Sequence, residues 1–173
     1  MPTIDHSRFH NYEELLELLR AFAAEHPRYI ALETIGRSFE GRDIPLVTVT
    51  DSSTGPAAEK PAFWVDGNIH SVELSASAAC LYFIEWLMKN RDGNPDVARC
   101  LATRAFYICP RINPDGAEWA MAEKPKYVRS STRRYPYDEE PVAGLIAEDI
   151  DGDGNILQMR IVDPNGPWKK HPQ

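Results

Sequence analysis

No stretch of the 173 residues is apolar for long enough to span a membrane, so a membrane partner is not expected. Basic residues do not gather into blocks either. With 19 Lys and Arg against 26 Asp and Glu, the formal net charge is -7 and the signs are mixed along the chain. That balance argues against a surface built for phosphate backbones or anionic lipid, and nucleic acid is not expected as a partner. Cysteine is scarce: Cys80, Cys100 and Cys109 are odd in number and form no C-x-x-C pair. Reduced thiols acting as small core hydrophobes fit this better than a disulfide framework. The opening "MPTIDHSRFHNYEELLELL" lacks a basic segment followed by an apolar one and a small-residue cleavage site. Together with the cysteines, this gives a cytoplasmic location as the expectation. There is no internal repeat and no low-complexity tract.

What is present is enough apolar residue, 43% of the chain, for one packed domain or most of one. A single domain over residues 1–173 is therefore expected. In "NYEELLELLRAFAAEHP", Leu15, Leu18 or Leu19, and Phe22 fall at helical spacing, and Pro27 follows where a helix has to have stopped. "YIALETIG" and "DIPLVTVT" read as strands separated by "RSFEGR", where Gly36 and Gly41 punctuate a turn or hairpin-like connection. "AFWVDGN" reads as a third strand, central because its apolar part is continuous. A helix after His70 runs to about Asn90 and ends at "NRDGNPD". "RAFYICP" reads as a fourth strand closed by a turn at "NPDG". A strand, helix, strand succession favours an α/β sandwich with parallel neighbours. From about Ala117 onward the chain reads as loops and turns with one short strand, "ILQMRIV".

Asp66, His70 and Glu73 stand where the third strand joins its helix, in "FWVDGNIHSVELSASAACLYF". A histidine and a carboxylate three apart can aim one ring nitrogen and one oxygen at a common point beyond the strand's carboxyl edge, where α/β sheets place ligands. Zinc accepts such a mixed pair, and a catalytic zinc takes three protein ligands and keeps a place for water or substrate. On spacing alone, a first-turn glutamate serving the helix dipole accounts for the pattern as well. Asp66 is either an acceptor for the His70 ring or a turn residue before Gly67.

Three segments taken in order carry a family resemblance. "IGRSFEGRDIPLVTV", "VDGNIHSVELSAS" and "CPRINPDGAEWA" resemble the strand-turn-strand lead-in, the metal-binding H-x-x-E and the N-P-D-G segment of zinc carboxypeptidases of the carboxypeptidase A-like kind. The resemblance runs from about Tyr12 to Gly116 and continues more loosely beyond. It implies a three-layer α/β sandwich with a mixed, largely parallel sheet, of which this chain is the amino-terminal portion. It makes His70 and Glu73 zinc ligands. Asn113 to Gly116 then shape a turn near the cleft, with Asn113 or Asp115 bonding backbone. The resemblance also implies an arginine that polarises the scissile carbonyl, for which Arg133 in "RSSTRRYP" is the choice and Arg129 the runner-up. The implied partner is a peptide substrate, cleaved at its C-terminal bond by zinc-activated water. The family's third ligand, a histidine, and its catalytic glutamate have no counterpart here, since the only histidine after Glu73 is His171. The chain alone is therefore expected to be inactive and, with a sheet edge left uncovered, to self-associate. The alternatives are a non-catalytic module binding calcium or peptide, and an amidase of the same superfamily.

"EDIDGDGNILQMR" adds a D-x-D-x-D-G pattern, in which Asp149, Asp151 and Asp153 alternate ahead of Gly154. Oxygen donors at alternate positions of a tight turn suit calcium before magnesium. Arg160 stands where an EF-hand supplies its bidentate glutamate. An Asp/Gly turn with solvated or arginine-paired carboxylates is the other reading.

Overall fold

Helix α1, Tyr12–Glu25, forms where the helical spacing places it, and its Leu15, Leu19 and Phe22 are fully buried. Its start is reinforced by a reciprocal cap. The Asn11 side chain accepts from the Glu14 N–H, and the Glu14 carboxylate accepts from the Asn11 N–H, which satisfies two donors the first turn would otherwise leave unpaired.

The computed structural model describes residues 2–133, 152–154 and 165, and the chain falls into two compact units, Met1–Thr132 and Arg133–Gln173. In the first unit, α1 is followed by β1 (Ile30–Arg37), β2 (Asp43–Val49), β3 (Ala62–Asp66), α2 (Leu74–Asn90), α3 (Pro95–Thr103), β4 (Ala105–Cys109) and α4 (Pro114–Met121). Two single turns of 3-10 helix lie between β2 and β3. The strands form one mixed, open sheet in the order β1-β2-β4-β3. β1 and β2 make the antiparallel hairpin expected around "RSFEGR", with Gly41 in the left-handed region at φ 84°. β2 pairs antiparallel with β4, and β3 pairs parallel with β4. The parallel part of this sheet thus begins at β4.

Val47, Val49 and Ile108 share one sheet face by alternation and pairing. They are buried in one cluster with Leu15, Leu19 and Phe22 of α1, Leu81, Ile84, Leu87 and Met88 of α2, and Val97 and Leu101 of α3. This core joins the sheet to a helical layer.

Three expectations change. β3 is an edge strand of the sheet the described residues form rather than a central one, and Phe63 and Trp64 remain about half exposed. A continuous apolar run marks a strand built to be covered, and cannot by itself say what covers it. The segment after "NRDG" re-enters helix as α3. "NPDG" starts a helix rather than closing a strand: Asn113 is the N-cap of α4 and Pro114 its first residue. The irregular stretch accordingly begins after Met121, and residues 122–133 contain no helix or strand. The strand read at "ILQMRIV" lies outside the described residues. No helix among the described residues is long and apolar enough to cross a membrane.

All three cysteines are free thiols, Cys80 and Cys109 buried and Cys100 partly so. Burial, with a smaller contribution from Asp66, pushes the Cys80 thiol up to about 11; burial likewise holds Cys109 at about 11. Because the thiolate is the reactive species, one thiol, Cys100, is expected to react with a disulfide reagent at pH 8 in the folded chain and three after denaturation. Prompt reaction of all three in the folded state would contradict this packing.

Candidate metal centre

His70 and Glu73 lie on the loop between β3 and α2, just beyond the carboxyl end of a parallel strand. Glu73 is the N-cap residue of α2, yet its side chain makes no capping hydrogen bond. Its carboxylate turns instead to His70, placing Oε1 3.0 Å from Nδ1. A glutamate can serve a helix terminus through its charge alone, so what distinguishes Glu73 is the contact its carboxylate makes with the His70 ring. Both side chains remain accessible, with relative exposures of 28% for His70 and 52% for Glu73, so a ligand can reach them.

Two donors on a tetrahedral zinc, each about 2.0–2.2 Å from the metal, lie about 3.4 Å apart. The His70–Glu73 pair, at 3.0 Å, is within a few tenths of an ångström of that spacing, and its nitrogen and oxygen are of the kind zinc accepts. The pair fits zinc. Among the described residues no group of three or more His, Cys, Asp or Glu side chains gathers around a common point. His171 lies outside those residues.

Asp66 does not orient the His70 ring. Its Oδ1 accepts from the Trp64 indole N–H at 3.0 Å, which follows from strand alternation: residues 64 and 66 share a face. Arg129 is brought to the loop between β3 and α2 through its main chain, since the Ser71 N–H donates to the Arg129 carbonyl at 3.1 Å. Arg133 is the first residue of the second unit. Asp149 and Asp151 lie outside the described residues. Of their segment, Gly152 and Gly154, flanking Asp153, are left-handed at φ 76° and 87°.

The loop itself is fastened from three sides. Along the β3–β4 seam, the Gly67 N–H donates to the Cys109 carbonyl, and the Ile112 and Asn113 N–H groups donate to the carbonyls of Gly67 and Asn68. From α4, Asn113 Nδ2 donates to the Ile69 carbonyl at 3.2 Å and also to the Ser130 carbonyl, while its Oδ1 accepts from the Gly116 N–H. From the segment after α4, the Val128 carbonyl takes the Ser71 hydroxyl. Asn113 therefore bonds backbone, as expected. Asp115 does so too, but at the hairpin: its carboxylate accepts from Ser38 Oγ, the Glu40 N–H and Arg42 Nη1 at 2.7, 2.8 and 2.7 Å.

Behind the loop lies Arg111, which the sequence reading passed over. It is 1% exposed, with Nη2 donating to the His10 carbonyl at 2.7 Å and Nε to Ser77 Oγ at 3.2 Å. Nη1 is 3.5 Å from Glu118 Oε1, an ion pair without hydrogen-bond geometry. Burial pushes its pKa down to about 10, Glu118 partly opposing, so the guanidinium stays charged at neutral pH.

A histidine-carboxylate pair at a strand end, on a mixed α/β sheet, defines a candidate metallohydrolase site. The chain belongs to the zinc carboxypeptidase family, whose model matches residues 15–172. It is 25% identical to carboxypeptidase B of Astacus astacus over 97% of this chain and 47% of that protein. It is 31% identical to mouse (Mus musculus) carboxypeptidase Z over 73% of this chain and 19% of that protein. The chain thus spans less than half the length of these relatives. Among solved structures, its fold is similar to bovine thrombin-activatable fibrinolysis inhibitor in complex with a tick carboxypeptidase inhibitor, with TM-score 0.63 and 23% identity over 79% of this chain and 41% of that one. It is also similar to carboxypeptidase A from Helicoverpa armigera, with TM-score 0.59 and 27% identity over 68% of this chain and 27% of that one.

Proposed function

We propose that His70 and Glu73 are zinc ligands, and that residues 1–173 form part of a carboxypeptidase that hydrolyses C-terminal peptide bonds. The observation that carries this reading is the Glu73 carboxylate, which leaves the helix end uncapped and meets the His70 ring. Zinc, when bound, supplies Lewis-acid polarisation of the scissile carbonyl and a water acidic enough to attack at neutral pH. His70 and Glu73 hold the metal at the rim of the sheet. Arg129 and Arg133 are the candidates to face the substrate's developing negative charge, a task suited to a permanently charged fork of donors. A third ligand and a general base come from elsewhere in the protein.

Two ligands hold zinc weakly. Isothermal titration of the metal-free 173-residue chain is expected to give weak binding that His70→Ala removes and Glu73→Gln reduces, with the thermal midpoint of each variant little changed. The chain alone is expected to turn over no blocked dipeptide, since the absence of a base alone costs about 10²–10⁴-fold. Zinc binding indifferent to both substitutions would refute the assignment.

A further inference from the structure

Asn68, two residues before His70, is in the left-handed region at φ 58°, the one described non-glycine residue there. It is also 1% exposed. Glycine would adopt this conformation without steric cost, so an asparagine here has to be accounted for by its side chain. Its Nδ2 donates to the His70 carbonyl at 2.7 Å and to the Ser71 carbonyl at 3.2 Å. Its Oδ1 is buried and has no partner among the described residues, so what they draw from this carboxamide is its two N–H bonds. With Asn113 taking the Ile69 carbonyl, three successive carbonyls accept from two carboxamides. Along the same stretch the Ile69 and Val72 side chains are each about half exposed, whereas Ser71 is buried. Glu73 is the one hydrogen-bond partner of the His70 ring among the described residues, and it is to be a ligand itself. The remaining anchor of the imidazole is therefore its main chain, which sets the direction of its Cα–Cβ bond.

We propose that Asn68 is a positioning residue for the metal pair: its buried carboxamide, by gripping the carbonyls of His70 and Ser71, fixes the direction in which His70 meets Glu73 and hence the metal. This rests on the zinc assignment above. The observations on hand separate two roles for Asn68, a backbone that tolerates the left-handed turn and a carboxamide that grips two carbonyls. Asn68→Gly keeps the first and removes the second. Asn68→Asp keeps the shape but turns an acceptor toward two carbonyls.

The test is titration of the 173-residue chain with zinc, and separately with cobalt, whose visible absorption reports coordination geometry, alongside thermal unfolding without metal. Asn68→Gly is expected to weaken zinc binding about 10-fold or more, in the range seen when groups that orient ligands are removed. It should also alter the cobalt spectrum at saturation, and Asn68→Asp should do at least as much. A merely structural role predicts a lower midpoint with unchanged affinity and an unchanged spectrum at saturation, and that outcome, or an Asn68→Gly equal to wild type throughout, overturns the proposal. Wild type and His70→Ala run in parallel separate the two claims. If His70→Ala removes binding and Asn68→Gly does not affect it, zinc stands and the role of Asn68 falls; if His70→Ala binds as wild type, both fall.

Discussion

Arg111→Ala is expected to destabilise the chain by about 3–5 kcal/mol. Truncating a large, fully buried side chain leaves a cavity costing about 2–3 kcal/mol or more, and the His10 carbonyl loses its donor, an unsatisfied group worth about 1–3 kcal/mol. Glu118 softens the loss. It keeps the Tyr12 N–H at 2.8 Å and is a quarter exposed, so it is not stranded as the survivor of a fully buried pair would be. Arg111→Met refills most of the volume without restoring a donor, and should cost only the second part, about 1–3 kcal/mol. Urea denaturation of both variants measures the two contributions separately. A methionine variant as stable as wild type would mean that the guanidinium bonds contribute nothing net. At about 2–4 °C per kcal/mol for a chain of this size, the alanine variant should melt roughly 6–20 °C lower.

Gly67→Ala is expected to damage both fold and site. The backbone at Gly67 is not left-handed, so alanine meets no conformational obstacle there. The obstacle is what a methyl group would touch: the carbonyl carbon and oxygen of Ala76, both at 2.9 Å, and Cys80 Sγ at 3.1 Å. The Ala76 atoms are helix backbone and cannot rotate away, so α2 has to move off the end of β3. Overpacking of this kind costs about 1–3 kcal/mol. His70 and Glu73 lie on the connection between those two elements, so the same displacement should weaken zinc by about tenfold or more, judged by what disturbing ligand orientation costs. Calorimetric unfolding and zinc titration of one preparation measure both effects. A variant with wild-type midpoint and wild-type affinity would show that β3 and α2 do not meet as closely as described.

Residues with strong local preferences were legible in advance. The leucine spacing of α1, the hairpin at "RSFEGR" and the H-x-x-E spacing are all patterns written within a few positions of the chain. The two misread segments share a cause. "NPD" occurs at residues 94–96 and 113–115, and in both places asparagine caps a helix whose first residue is proline. The first was taken only as the end of a helix and the second as a turn, because Asn, Pro and Asp are also turn formers. The deciding sign is the helical apolar spacing that follows, as in Val97 and Leu101, both buried. The supports of the loop that carries His70 and Glu73 were less accessible still. Asn68 binds carbonyls two and three residues on, but Asn113 and Arg129 reach the loop from more than forty residues away, and Arg111 reaches back to His10. No period or propensity encodes such pairings. In hindsight one local sign was present: an asparagine just after a glycine at the strand end, in "DGNIH", is a residue type that tolerates left-handed backbone.

The seam between the two strand ends sets an order of events during synthesis. A chain made from its amino terminus offers His70 and Glu73 well before Cys109, Ile112, Asn113 and Arg129, whose main chains fasten their loop. α1 and the β1–β2 hairpin can collapse early on contacts close in sequence, while β3 has to wait for β4, its parallel partner among the described residues, to emerge beyond α2 and α3. On the nascent chain His70 and Glu73 are therefore present before the main chains that fasten their loop, the last of which is that of Arg129.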